Sequence, residues 1–275
     1  MNREVPVKKN AFGPRRAFLF FVVVCLLAAA AGCGADGQPD GEDELPELVI
    51  ASDSYEPYHY IEANGDHAGI DVELAREACS RLGYRPVFLD IAWEDKDSYL
   101  EKGLADCLWG CFTMTGREQD YQWAGPYLVS RQTVLVRADS GIGRLADLAG
   151  LRVAVQASGK AEQTLLQGGE GVPEVGAVYS FSGMSEVYSC LRKGYADAIA
   201  GHESSLDVLR RSDEERYVML DEELYTSQLG VAFRKDTHEE LARQLTEAFE
   251  EMRADGTIRA IAEKYGLNVE KALDW

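Results

Sequence analysis

The chain has 275 residues, in which 47 Asp and Glu face 28 Lys and Arg for a formal net charge of −19. So acidic a chain repels nucleic acid and anionic headgroups, which excludes functions built on a basic face. Its length suffices for one large core or two smaller ones.

The N-terminus comes first in chain order. Lys8, Lys9, Arg15 and Arg16 precede an apolar run from Ala17 to Leu27 that ends in Ala28-Ala29-Ala30-Ala31-Gly32-Cys33. A basic n-region, an apolar h-region and a small-residue cleavage site identify residues 1–32 as a signal peptide. The run is too short for a membrane helix, which needs roughly 20 consecutive apolar residues. Removing it makes the mature chain still more acidic, since Arg3 and four further cations leave with Glu4 alone. Cys33, directly after Ala-Ala-Gly, resembles the lipobox of bacterial lipoproteins, with Ala30 where that motif favours Leu. The resemblance implies lipidation of Cys33 and an extracytoplasmic protein held on the outer face of a membrane or in a periplasm; two acyl chains anchor stably. Ordinary cleavage with Cys33 incidental is the alternative. Residues 34–46, GADGQPDGEDELP, have no apolar periodicity and read as a flexible tether, so 33–46 is a lipidated Cys and its linker.

From Leu48 strands and helices alternate. LVIAS is a buried-type strand, Asn64-Gly65 between YHYIE and HAGI signals a tight hairpin, and residues 71–82 place Val72, Leu74, Ala75, Ala78, Cys79 and Leu82 at helical spacing. Asp71 is the expected N-cap of that helix and Gly83 its end. PVFLDI (strand), KDSYLEKGL (helix), DCLWGCF, QTVLVRA and RVAVQA (strands), YSCLRKGY (helix), ADAIAG and LGVAFR (strands) follow, then a helical region from Thr237 to Tyr265 broken at Asp255-Gly256. This alternation predicts an α/β architecture with mostly parallel sheets. Cys79, Cys107, Cys111 and Cys190 remain in the mature chain; they form disulfides, with Cys79–Cys107 the favoured pair, or stand as four buried small hydrophobes.

The strings SYEPYHY, GDHAGIDVELA, GLADCLWGCFTMTGRE, YQWAGPYL, LADLAGLRVAVQ, GYADAIAG, FRKDTHEEL and ADGTIRAIAEKYG, in this order, resemble the family-3 extracellular solute-binding proteins, the amino-acid receptors of ABC importers. The resemblance runs from Leu48 to Leu267. It implies a type 2 periplasmic-binding-protein fold: two α/β lobes, 47–131 with 229–275 and 132–228, joined by two crossing strands, with ligand held in the cleft. It also implies a monomer that hands its ligand to a permease and ATPase complex.

Residue by residue, Arg117 falls where the family places the arginine for a ligand carboxylate, and a guanidinium fork matches that group geometrically. The segment from Thr113 to Arg117 is one residue shorter than the family pattern. Thr113 should offer hydroxyl and N–H, and Gly110 and Cys111 backbone groups. Tyr55 and Trp93 match aromatic positions that sandwich a ligand side chain, and Asp53 stands where a cationic group would be received, although an Asp after a strand is also a turn former. QASGKAE opens a helix whose N–H groups would meet the carboxylate, with Gly159 and Lys160 replacing hydroxyl residues. The family's ammonium-binding aspartate falls on His202, a poor substitute, with Glu203 beside it as the available acid.

Two further readings share this fold. A dehydratase acting on prephenate- or arogenate-like compounds would use His202 and Glu203 as acid and base. A ligand-sensing module would need a separate membrane signalling partner. The receptor reading, without a catalytic step, is preferred because the anchor suits transport; no metal or phosphate motif stands out, so no cofactor is expected.

Overall fold

The structure, a computed structural model, describes residues 45–169 and 171–274. The signal segment, Cys33 and the tether up to residue 44 lie outside the described residues. In chain order the strands and helices are β1 (Glu47–Ser52), β2 (Tyr60–Ile61), β3 (His67–Ala68), α1 (Ile70–Leu82), β4 (Arg85–Asp90), α2 (Lys96–Glu101), β5 (Cys107–Leu108), β6 (Tyr121–Arg137), β7 (Arg152–Gln156), α3 (Lys160–Gln167), β8 (Ala177–Phe181), α4 (Met184–Arg192), β9 (Ala198–His202), α5 (Glu203–Ser212), β10 (Tyr217–Met219), β11 (Tyr225–Arg234), α6 (Glu239–Ala254), α7 (Thr257–Lys264) and α8 (Val269–Ala272).

The fold is the two-lobed type 2 architecture. β1 pairs in parallel with β4 and β5, and β7 in parallel with β8 and β9. These two parallel units are stitched together by β6 and β11, which run antiparallel to each other and to their neighbours in the order β4-β1-β5-β11-β6-β9-β7-β8. β6 pairs with β11 as far as Gln132 and with β9 from Gln132 onward, so one residue belongs to both ladders. β1, β7 and β9 are nearly continuous buried runs, as expected of strands covered on both faces.

Most expected elements stand where the pattern puts them, and the differences have physical causes. Helix α1 begins one residue early with Gly69 as its N-cap, and that glycine sits at φ 122 with no room for a side chain: a Cβ would lie 2.2 Å from the Tyr58 carbonyl oxygen. Asp71 is therefore inside the first turn rather than the cap, and its carboxylate is drawn elsewhere. The YQWAGPYL string and QTVLVRA are one strand of 17 residues, β6, because β11 and β9 supply partners along its whole length. DCLWGCF shrinks to the two residues of β5, since the chain turns into the cavity wall after Leu108.

Trp109, Phe249 of α6 and Tyr127 form a triangle of rings in the core, with Trp109 edge-on to Phe249 at 5.4 Å and Tyr127 5.6 Å from Phe249 and 6.0 Å from Trp109. All three are buried. The disulfide expectation is corrected here: Cys79, Cys107, Cys111 and Cys190 are all free and buried. Cys79 and Cys107 lie in the same apolar cluster, and burial pushes the Cys79 thiol up to about 12. An apolar site disfavours the thiolate through which disulfides form, and the thiols pack there as small hydrophobes.

Candidate functional site

The parallel strands of both lobes point their carboxyl ends at one cleft, the position at which open α/β sheets place ligands. The cavity there is lined by Tyr55, Trp93, Gly110–Thr113 and Arg117 on the side of β1 and β5, Gln132 from β6, and Gln156, Gly159–Ala161 and Ala200–His202 on the side of β7 and β9. Of the residues expected from sequence, the structure brings Tyr55, Trp93, Gly110, Cys111, Thr113, Arg117, Gly159, Lys160 and His202 to this wall. It keeps Asp53 behind it and turns Glu203 away from it.

Close approach of the backbone shapes the first-lobe wall. Gly110 lies against Ser52, where a Cβ would come within 2.1 Å of Oγ. Cys111 adopts φ 49, a left-handed conformation uncommon for a residue with a side chain. It is held there by its N–H donating to Asp71 Oδ2 at 2.6 Å. Burial raises the Asp71 carboxyl to about 7 against that hydrogen bond, and its Oδ1 has no partner among the described residues.

Arg117 follows in a turn held through its own backbone groups rather than its side chain. Its N–H donates to Met114 O at 2.9 Å, and its carbonyl accepts from Asp120 N–H at 3.0 Å and Trp123 Nε1 at 3.0 Å. The guanidinium lies 5.4 Å from the Phe112 ring centroid. The shortened segment thus still delivers Arg117 to the cavity. Desolvation pulls its pKa down, and among the described residues it makes no ion pair. Lys160, on the opposite lobe, lies over the Tyr225 ring at 4.9 Å and is likewise pulled down, by desolvation first and by Arg117 second. It opens α3, whose N-cap Gly159 provides no side-chain acceptor, so the helix presents bare N–H groups beside the lysine.

His202 is a wired residue. Its Nδ1 lies 2.8 Å from Ser130 Oγ and its Nε2 3.2 Å from Gln132 Nε2, while its backbone N–H donates to Tyr55 Oη at 3.2 Å. Because the Gln132 amide N–H can only donate, the ring accepts at Nε2 and carries its proton on Nδ1, directed at Ser130. Burial, then Arg117, lowers its pKa to about 3 and keeps it neutral. Tyr55 stands edge-on to the imidazole at 5.7 Å, and Trp93 edge-on to Phe112 at 5.0 Å.

The two acids behave differently from expectation. Asp53 accepts from Gln156 Nε2, so the glutamine amide caps the carboxylate on the cavity side. His59 Nδ1–H holds the Asp53 carbonyl at 2.8 Å, and desolvation raises the Asp53 carboxyl to about 7. Glu203 is the first residue of α5, and its carboxylate receives Arg131 Nε at 3.0 Å and Nη2 at 2.6 Å on the far side of the crossing strand. A guanidinium one residue before the Gln132 handover offers Glu203 two fork bonds, which the cavity does not.

Phe112, Gln132, Gln156, Ala161, Ala200 and Gly201 also line the cavity, and sequence reasoning missed them. The glutamines carried a signal: each is a polar residue at the edge of an apolar strand run, QTVLV and RVAVQ.

Comparison with known proteins agrees with this geometry. The family model for bacterial extracellular solute-binding proteins, family 3, matches residues 48–268. The L-cystine-binding protein TcyA of Bacillus subtilis is 25% identical over 274 residues, covering 94% of this chain and 100% of TcyA. Among solved structures, Tv2483 bound to L-arginine is 27% identical with a TM-score of 0.75, covering 82% of this chain and 93% of its own. The ancestral amino-acid-binding protein AncCDT-1, a precursor of cyclohexadienyl dehydratase, is 25% identical with a TM-score of 0.72, over 80% of this chain and 95% of its own. A cleft fed by the strand ends of both lobes, an arginine delivered to its wall and a family match over nearly all the described chain lead to one conclusion: the chain belongs to the bacterial extracellular solute-binding proteins, family 3.

Proposed function

We propose that this protein is the lipid-anchored receptor of an ABC importer, which captures an amino acid or a similar small polar carboxylate-bearing solute by closing its two lobes and presents it to the permease and ATPase. The carrying observation is Arg117: a partly buried guanidinium, held by main-chain bonds at the wall of the cleft and paired with no acid among the described residues. A carboxylate is the natural partner of such a fork. Tyr55 and Trp93 flank it as apolar walls, and Thr113, Gly110, Cys111 and the opening of α3 at Gly159 supply polar groups.

We assign the lobes as 47–131 with 229–275 and 132–228, with the hinge in β6 and β11. The handover of β6 from β11 to β9 at Gln132 supports this division. Closure of such lobes over ligand is a hinge motion. Anchoring through Cys33 follows from the lipobox-like sequence, and metabolic labelling with a fatty acid, lost on Cys33→Ala, tests it.

A dehydratase is the second reading, favoured by the likeness to AncCDT-1. Against it, both ring nitrogens of His202 are already engaged and Glu203 pairs with Arg131, so the expected acid and base do not meet in the cavity. A thermal-shift screen of the twenty amino acids, cystine, oligopeptides and small carboxylates tests the receptor reading. Ligand at 100 times its dissociation constant should stabilise the fold by about 2.7 kcal/mol. Turnover of prephenate or arogenate would replace the receptor by the enzyme.

A further inference from the structure

We infer that the cavity selects a ligand of net negative charge, a small dicarboxylate or oxo- or hydroxy-acid, with no ammonium group on the carbon next to the carboxylate that Arg117 receives. This rests on the reading of the cleft as a carboxylate-solute site.

The argument is a charge inventory of the wall. Two cations reach the cavity, one from each lobe, and they reach it together: a Cβ on Gly116, next to Arg117, would be 3.0 Å from Lys160 Nζ. Neither is in an ion pair among the described residues. The bare N-terminus of α3 adds partial positive charge beside Lys160. No Asp or Glu is among the lining residues.

The carboxylates packed behind the wall are committed to other partners, and Asp97, Asp120 and Glu118, which act on Arg117 and Lys160 through space, are not among the lining residues. Asp53 is capped by Gln156, and Asp71 takes the Cys111 N–H behind the wall. Glu162 accepts from Ser158 N–H at 2.6 Å and from the Ser180 hydroxyl. Glu94 accepts from Ser182 Oγ at 2.5 Å, and Glu203 holds Arg131. His202 offers no replacement, because Nε2 already accepts from Gln132 and Nδ1 donates to Ser130.

A zwitterion that places its carboxylate on Arg117 would therefore bring its ammonium into a wall that holds a second cation, Lys160, and no carboxylate to receive it. Burying an unpaired charge is costly, and like charges in a site of low dielectric repel. An anion has the opposite balance. Its first carboxylate meets the Arg117 fork, and a second finds Lys160 and the α3 N–H groups across the cleft.

The test is calorimetric titration of the full-length protein with pairs that differ only at the α-substituent: 2-oxoglutarate against L-glutamate, and L-malate against L-aspartate, with L-arginine, L-histidine and L-cystine alongside. The acids without ammonium should bind at least about tenfold tighter than their amino-acid partners. Tighter binding of any of the amino acids overturns this inference and leaves the receptor reading standing. Binding by neither class overturns both. Two variants sharpen the result. Lys160→Met, at a partly exposed position, should weaken dicarboxylates by about tenfold with little effect on monocarboxylates, and equal affinities would refute the second contact. His202→Asp should move preference towards the amino-acid partner, and its failure to do so in a folded protein would refute the role of residue 202 in excluding ammonium.

Discussion

Replacing Arg117 with alanine removes a guanidinium without removing anything that holds its loop. The turn is closed by the N–H of residue 117 on Met114 O, by Asp120 N–H and by Trp123 Nε1 on the carbonyl of residue 117, all independent of the side chain. The side chain's ring contact is the Phe112 face at 5.4 Å, an interaction worth about 0.5–1 kcal/mol at exposed sites. Stability should therefore fall by less than about 1 kcal/mol, which for a chain of this size is roughly 2–4 °C in Tm. Binding should suffer far more. Each hydrogen bond to a charged group contributes about 1.5–3 kcal/mol, and a bidentate fork has two. Partial exposure of the arginine places the expected loss near 2–4 kcal/mol, or about 30- to 1,000-fold in Kd. Arg117→Lys, which keeps the charge and loses the fork, should fall between wild type and alanine. Calorimetric titration with the best ligand from the screen measures the loss, and a melt of the free protein measures stability. An alanine variant that binds within about twofold of wild type would refute the carboxylate assignment. A variant that melts far lower would refute the claim that the turn is held without the Arg117 side chain.

Other sites give independent checks. Gly110→Ala drives a Cβ to 2.1 Å from Ser52 Oγ and 3.1 Å from its Cβ, so it should destabilise by about 1–3 kcal/mol in urea melts, and Ser52→Gly in the same chain should recover most of that; no recovery would locate the damage elsewhere. Asp71 and Asp53 have raised pKa values of about 7 against an ordinary 3.8. The folded state binds more protons than the unfolded between those values, so each acid withdraws stability as pH rises towards 7, while neutral His202, at about 3, withdraws it as pH falls below 6.5. Asp71→Asn removes one acid, so its stability relative to wild type should improve by about 2 kcal/mol between pH 5.5 and 8; a gap that does not change with pH refutes this. Glu203→Gln should leave ligand affinity within about twofold while lowering Tm slightly, because the carboxylate serves Arg131 in a partly exposed pair. A tenfold loss of affinity would bring Glu203 back into the site.

The periodic features were legible from residues alone. Apolar runs marked β1, β4, β7, β9 and β11, Asn64-Gly65 marked the β2–β3 turn, and Gly83 marked the end of α1, where it sits in the left-handed conformation with its N–H on Cys79 and Ser80 carbonyls. β8, β10 and α5 were not anticipated: β8 is half exposed, β10 is three residues long, and α5 starts without a gap at the end of β9. Such elements carry too little apolar pattern to stand out from loops.

What the sequence determined by itself was the alternation that makes an α/β fold and the chemical types at the cleft, since Arg117, Thr113, Tyr55, Trp93 and Lys160 are set by their place in local strings. Only the tertiary structure decided which of these groups are free. Asp53 and Glu203 are acids in both views, yet Gln156, 103 residues from Asp53, takes one, and Arg131, 72 residues from Glu203, takes the other. His202 is neutral because Gln132 and Ser130, each about 70 residues away, fix its tautomer, and because burial removes the water that would stabilise its charge. The identity of a side chain is local, but its charge and availability depend on partners that only long-range packing supplies.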